Sequence, residues 1–305
     1  MTEPRTIEIS ELLDRHRGVL LDVYGVLFDA RGPLPGAARL IGELERRGTP
    51  YRIVTNDASR SQATYAARFA RHDIAVAPDR FVTSGSLLPD YFREHRLAGA
   101  RTLVLGTADS LDFVRAGGGV PISFSRETAP GSRSDRADRS VRSGEPACLV
   151  NELIEAVAVC DDDGFDFLQG LELALSSIVR AVEAGYPPAL ILPNPDLIYP
   201  KGGGELGFTA GAIALLLEAA LARRFPGHAL RFVHLGKPEP HLFAAAARQL
   251  GVAAEELVMI GDQLETDIAG ARAAGCACAL LAGVSSWHHA RATAQVIPDY
   301  LLDRL

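Results

Sequence analysis

Short apolar runs alternate with amphipathic stretches at both ends of the chain. "GVLLDVY" (18–24) and "YRIVT" (51–55) have the length of strands, and between them Ala37, Leu40, Ile41 and Leu44 recur at helical spacing. That stretch ends in "RRG" (46–48), a basic last turn followed by a glycine stop. The order predicts strand, crossover helix, strand. "LVMIG" (257–261) and "CACALLAG" (276–283) repeat it around "TDIAGARAAG" (266–275). The two ends, 1–85 and 231–305, are therefore expected to build one doubly wound parallel sheet of the α/β, Rossmann-like class. The middle, 86–230, has strands of its own in "RTLVLG", "EAVAVC" and "ALILPN", and a long helix with Leu168, Leu171, Leu175, Ile178 and Val182 on one face. It reads as an inserted α/β domain of roughly 145 residues, within the usual domain range.

Composition narrows the function classes. The chain has 305 residues, too many for one small core, with 48% hydrophobic and 23% charged residues. No apolar run approaches the roughly 18 to 20 residues that cross a bilayer. "MTEPRTIEIS" lacks the basic-then-apolar order of a signal peptide, so the expected setting is the cytoplasm, with no membrane partner. The net charge of −7 argues against nucleic acid. Cys148, Cys160, Cys276 and Cys278 show no C-x-x-C spacing and read as free thiols. Residues 122–146 carry five arginines and six serines with little that could pack, and read as a solvated loop.

In doubly wound sheets ligands bind beyond the carboxyl ends of the strands. Asp22 ends one predicted strand, Thr55 and Asn56 end the next, Lys237 follows "RFVHLG", and Asp262 and Asp267 follow "VMIG". Any one of them alone would be an ordinary turn former or helix cap. As an ordered set they bring carboxylates, one lysine and one hydroxyl to a single crevice, which suits Mg²⁺ and a phosphate.

The same residues carry a family resemblance. "LLDVYGVLFD", "VTNDASRS", "GKPEPHLF" and "MIGDQLETDIAGARAAG" resemble the four motifs of the haloacid dehalogenase superfamily, in its NagD-like or p-nitrophenylphosphatase-like branch with a large α/β cap between the second and third motifs. "PNPDLIYPKGGGELGFTAGAI" resembles that branch's cap signature, in which Asn194 and Asp196 match substrate-facing positions. The resemblance implies that Asp22 takes the phosphoryl group as an aspartyl-phosphate, and that Thr55 and Asn56 bind substrate. It implies that Lys237 holds nucleophile and phosphate, and that Mg²⁺ rests on Asp22, the Tyr24 carbonyl and Asp262, with Asp267 in support. The implied partner is a small phosphorylated metabolite, of the sugar phosphate or nucleotide class, and a homodimer is compatible with the branch.

Tyr24 departs from the pattern. Phosphatases of the family carry an aspartate there as general acid and base, whereas a phenol can donate a proton but is a poor base, and losing such a group costs about 10² to 10⁴ in rate. Asp57, where related phosphatases have asparagine, is a candidate substitute. Its other reading is a cap for a helix starting near Ser59. Tyr24 also matches the first motif of the 2-haloacid dehalogenases, so a dehalogenase and a binding protein without turnover stand as alternatives. The glycines at 202, 203, 204 and 207 read as a flexible cap loop, and His288 and His289 follow a core strand.

Overall fold

The computed structural model describes residues 3–123, 153–283 and 295–305. Cys148, His288, His289 and most of the arginine- and serine-rich segment lie outside the described residues.

Two parallel sheets organise the chain. The first has seven strands in the order Arg5–Thr6, Tyr300–Leu302, Ala277–Leu281, Leu257–Gly261, Gly18–Leu21, Tyr51–Thr55 and Phe81–Thr83. Every neighbouring pair in it runs parallel. Gly18–Leu21, Tyr51–Thr55 and Leu257–Gly261 are buried at every position, as strands covered on both faces must be, which explains why they read as continuous apolar runs. The helix Ala37–Arg47 buries Ala37, Leu40, Ile41 and Leu44, and Gly48 ends it in the left-handed conformation at φ 66°.

The second sheet has five parallel strands in the order Val233–His234, Ala189–Leu192, Ala156–Val159, Arg101–Leu105 and Val120–Ser123. The strand before Lys237 thus pairs with Ala189–Leu192 of the second sheet, and only Leu235 and Gly236 separate it from the lysine. Leu20, Val54, Val82 and Met259 of the first sheet share one apolar cluster with Phe92, Phe113, Val104 and Ile191, so the two sheets are joined by packed side chains.

The long helix is Phe167–Glu183, and of its expected face Leu171 and Ile178 are buried and Leu175 and Val182 pack against the core, with Leu168 the exception. Leu168 is 63% exposed, while Gly170, Leu171, Ala174, Ser177, Ile178 and Ala181 are buried. A count of large apolar residues overlooks most of this stripe because four of its six residues are small: at Gly170 a Cβ would lie 2.4 Å from the Phe165 ring. The glycine cluster forms the turn of an antiparallel hairpin, Ile198–Gly202 with Glu205–Phe208, in which Gly202, Gly203 and Gly204 all take positive φ. Cys160, Cys276 and Cys278 are buried free thiols. Among the described residues no helix is long and apolar enough to cross a membrane.

The placement of the helix face is testable. Ile178→Ala is expected to cost about 2–5 kcal/mol and Leu168→Ala less than about 0.5 kcal/mol, read from urea midpoints. Equal shifts would contradict the assignment.

Candidate active site

From Leu257–Gly261 the first sheet grows one way, and from Gly18–Leu21 it grows the other. Beyond the carboxyl ends of these two strands lies the crevice that such a reversal opens. Leu21 stands opposite Ile260, and the Asp22 amide donates to the Ile260 carbonyl at 3.0 Å, so Asp22 and Asp262 leave adjacent strands together. Gly25 makes their approach possible. Its φ is +83°, and a Cβ there would lie 2.1 Å from Asp262 Oδ2.

Lys237 occupies the centre. It is 3% exposed, and its Nζ lies 2.7 Å from Asp22 Oδ1 and 2.6 Å from Asp267 Oδ1. Asp22 Oδ1 also accepts from the Val23 amide at 2.8 Å. The tight turn Leu264–Ile268 carries Asp267, which is fully buried and whose Oδ2 accepts from the amides of Asp262 and Gln263 at 3.1 and 3.2 Å. Both oxygens of Asp267 are therefore spent on protein donors. This fits the supporting role, with Asp22 and Asp262 left as the more open ligands.

The charges do not balance within the protein. Three carboxylates face one ammonium, and burial works against every one of them. Burial, followed by the Asp267 charge, pushes the Asp22 carboxyl up to about 7, although Lys237 and the Val23 amide oppose the rise. Asp262 is raised well above the usual carboxylate range by burial and then by Asp267 and Asp22. Burial alone would lower Lys237, but the charges of Asp22 and Asp267 outweigh it and hold the lysine above its ordinary value. Asp262 Oδ1 is buried with no hydrogen-bond partner among the described residues. One oxygen from each of Asp22, Asp262 and Asp267 lies within 4.8 Å of the others, an arrangement that fits a hard divalent cation.

The remaining candidates fall around this cluster. Thr55 is buried at the end of Tyr51–Thr55, and its hydroxyl oxygen accepts from the Asp57 amide at 3.3 Å, which leaves its own proton to donate. Asn56 and Asn194 were expected to face substrate, yet their side chains bond protein. The Asn56 amide group brackets Lys237 and donates to Asp196, while Asn194 donates to the Thr209 hydroxyl at 3.2 Å and accepts from the Asp196 amide at 3.0 Å. Tyr24 is half-buried beside the cluster. Arg68 donates to its phenol oxygen, and the guanidinium carbon lies 5.1 Å from the Tyr24 ring and 5.4 Å from that of Phe28.

Asp57 does not serve as a free carboxylate. Its Oδ1 accepts from the amide and hydroxyl of Ser59 at 2.6 and 2.7 Å, and its Oδ2 from Arg60 and the Tyr65 hydroxyl, both at 2.6 Å. Nor does it cap a helix at Ser59, since the helix is Gln62–Ala70 and its cap is Ser61. Asp57 instead ties the loop to that helix, and four donors leave no oxygen poised for proton transfer.

Sequence reasoning missed Arg68, which no motif marks and which reaches Tyr24 only because its helix packs beside the turn. It also missed Asp161, at the end of the second sheet's central strand, whose carboxyl burial pushes up to about 7. The run "CDDDG" was the available signal.

Asp57→Asn is expected to lower the unfolding free energy by about 1–3 kcal/mol, because it loses a charged acceptor for Arg60 and Tyr65, while turnover of the folded protein stays unchanged. A fall of about 10²-fold in turnover at an unchanged melting temperature would instead make Asp57 catalytic.

The haloacid dehalogenase-like hydrolase model matches residues 19–119, and a second model of HAD-like hydrolases matches 234–305. The chain is similar to chronophin of Mus musculus, 28% identical over 99% of this chain and 94% of that protein. It is similar also to glycerol-3-phosphate phosphatase of Gallus gallus, 27% identical over 94% of this chain and 89% of the other. In fold it resembles a solved structure from Cytophaga hutchinsonii described as a possible sugar phosphatase, with a TM-score of 0.77 and 24% identity over 99% of this chain and 98% of that one. Two matched segments, the first carrying Asp22 and the second Lys237, Asp262 and Asp267, place the chain in the haloacid dehalogenase superfamily of hydrolases.

Proposed function

We propose that the protein is a Mg²⁺-dependent phosphatase that cleaves a small phosphorylated metabolite through an aspartyl-phosphate on Asp22. The observation that carries this reading is the buried cluster of Asp22, Lys237, Asp262 and Asp267, two negative charges in surplus, with one Asp262 oxygen unpaired. A carboxylate can approach a phosphate dianion only where cations offset the repulsion.

Each residue of the cluster has a definite part. Lys237 and the Val23 amide fix Asp22 Oδ1, which leaves Oδ2, without a hydrogen bond among the described residues, as the oxygen that attacks phosphorus. The Thr55 hydroxyl donates to a phosphate oxygen. Asp22, Asp262 and the Tyr24 carbonyl would hold Mg²⁺ with Asp267 in support, and the bound ion would supply charge neutralisation at the phosphoryl oxygens. Water then clears the phosphorylated Asp22.

Tyr24 governs which esters react. Arg68 can only donate, so the phenol oxygen accepts from it and the phenol keeps its own proton for the leaving oxygen. That proton matters least when the leaving group is acidic. The relative that acts on glycerol 3-phosphate supports a small ester, and the sugar phosphate and nucleotide classes are the substrates to test first. Halide displacement from carbon gives no reason for the unpaired Asp262 oxygen, and the inserted domain is an α/β sheet that follows the second motif rather than a helical insert after the first. The cytoplasm is the setting this activity suits.

Phosphate release with Mg²⁺ over a panel of esters tests the reading. p-Nitrophenyl phosphate is expected to be cleaved far faster than alkyl phosphates, Tyr24→Asp to raise the alkyl rates, and Asp22→Asn to abolish both without unfolding the protein. Full activity in Asp22→Asn, or halide release from short 2-haloacids without phosphate release, would overturn it.

A further inference from the structure

Lys237 is placed by its backbone as well as by its ion pairs. The Lys237 amide donates to Asn56 Oδ1 at 2.6 Å, and Asn56 Nδ2 donates back to the Lys237 carbonyl at 3.0 Å, so one side-chain amide holds both polar groups of that residue. The second proton of the Asn56 amide goes to Asp196 Oδ1 at 2.9 Å, across to the inserted domain. Both Asn56 donors are used, and its main-chain carbonyl accepts from the Ser84 hydroxyl at 2.6 Å. Asn56 is 4% exposed and has no side-chain amide proton left for substrate.

The loop that carries Asp196 is equally constrained. The Asp196 amide donates to Asn194 Oδ1, its carbonyl accepts from Gly211 at 3.0 Å, and Asn194 is held by Thr209. Gly236, the residue before Lys237, lies against both partners: a Cβ there would be 2.5 Å from Asn56 Oδ1 and 2.6 Å from the Pro193 carbonyl. The Leu235 amide donates to the Leu192 carbonyl at 3.1 Å, which ties the approach to Lys237 to the second sheet. The loop at 193–196, Asn56 and the segment 235–237 therefore form one bonded unit that spans the two sheets.

We propose that Asn56 and Asp196 are positioning residues, a clasp through which the seating of the inserted domain's 193–196 loop sets the place of Lys237, so that the crevice is complete only with that loop down. The proposal rests on the phosphatase reading for its activity arm. It reassigns both residues from substrate contact to alignment of the lysine. A carboxylate held by the Asn56 amide suits that task, whereas the same carboxylate would repel a phosphate.

The test compares Asp196→Ala with Asp196→Asn, which keeps an acceptor oxygen for Asn56. For Asp196→Ala, kcat is expected to fall about ten-fold or more by the same factor on p-nitrophenyl phosphate and glycerol 3-phosphate, with KM little changed. Hydrogen exchange at the Lys237 amide should accelerate in the same variant. Asp196→Asn should recover most of both effects. Should Asp196→Ala not fold, Asp196→Ser, whose shorter side chain does not span to Asn56, replaces it with the same expectations. A loss confined to KM on one ester would make Asp196 a substrate contact and overturn the proposal, as would unchanged exchange at Lys237. If the natural protein released no phosphate from either ester, the phosphatase reading would fail, and the exchange measurement would still decide the clasp.

Discussion

A buried ammonium between two buried carboxylates is the interaction on which the site depends. Lys237 reaches Asp22 from one side and Asp267 from the other, and none of the three is more than 6% exposed. Ions so far from water are costly to bury, and removing one partner of such a pair is far worse than never having made it. The surrounding backbone is shaped accordingly. The turn at 264–268 aims two amides at Asp267, Gly25 clears space for Asp262, and Asn56 grips Lys237 by its main chain. Parallel pairing of the first sheet's two central strands is what makes these contacts coincide, since it sends Asp22 and Asp262 out of the same edge side by side.

The inserted domain belongs to the site as much as the first sheet does. Its edge strand, Val233–His234, ends three residues before Lys237, and the loop after Ala189–Leu192 reaches Asn56. A second set of bonds links it to the loop that follows Asn56: Thr107 donates to the Ser59 carbonyl, Ser110 to that of Ala58, and Asp109 accepts from the Ser61 amide. The loop at 56–61 therefore joins both halves of the inserted domain to the crevice. Tyr24, close to Asp22 in the chain, has Arg68, a cation, as its only charged hydrogen-bond partner among the described residues.

What could be read in the sequence was set by period and by position. Continuous apolar runs marked strands buried on both faces, and polar residues at their ends marked the crevice, so Asp22, Thr55, Lys237, Asp262 and Asp267 were legible before any coordinate. On Phe167–Glu183 the large apolar residues marked the packed face except at Leu168, while Gly170, Ala174 and Ala181 went unread because hydrophobicity does not announce the burial of small residues. The strand before Lys237 carried no sign of which sheet it would join, because two residues of pairing are decided by tertiary contacts. Asp57 was ambiguous for a different reason. A carboxylate in a turn looks the same in sequence whether four donors surround it or none, and only the fold brought Arg60 and Tyr65 to it. The Asn56 to Lys237 bracket spans 181 residues and leaves no local pattern at all.

The cluster is short of positive charge, and the proposed divalent cation would supply it at the Asp262 oxygen left unpaired among the described residues. Calorimetric titration of the folded protein with MgCl₂ measures that directly, with no need for a substrate. The account predicts a single saturable site in the natural protein, and an affinity about ten-fold or more weaker in Asp262→Asn at an unchanged fold. Identical isotherms for the two proteins, or no binding by the natural protein, would contradict it.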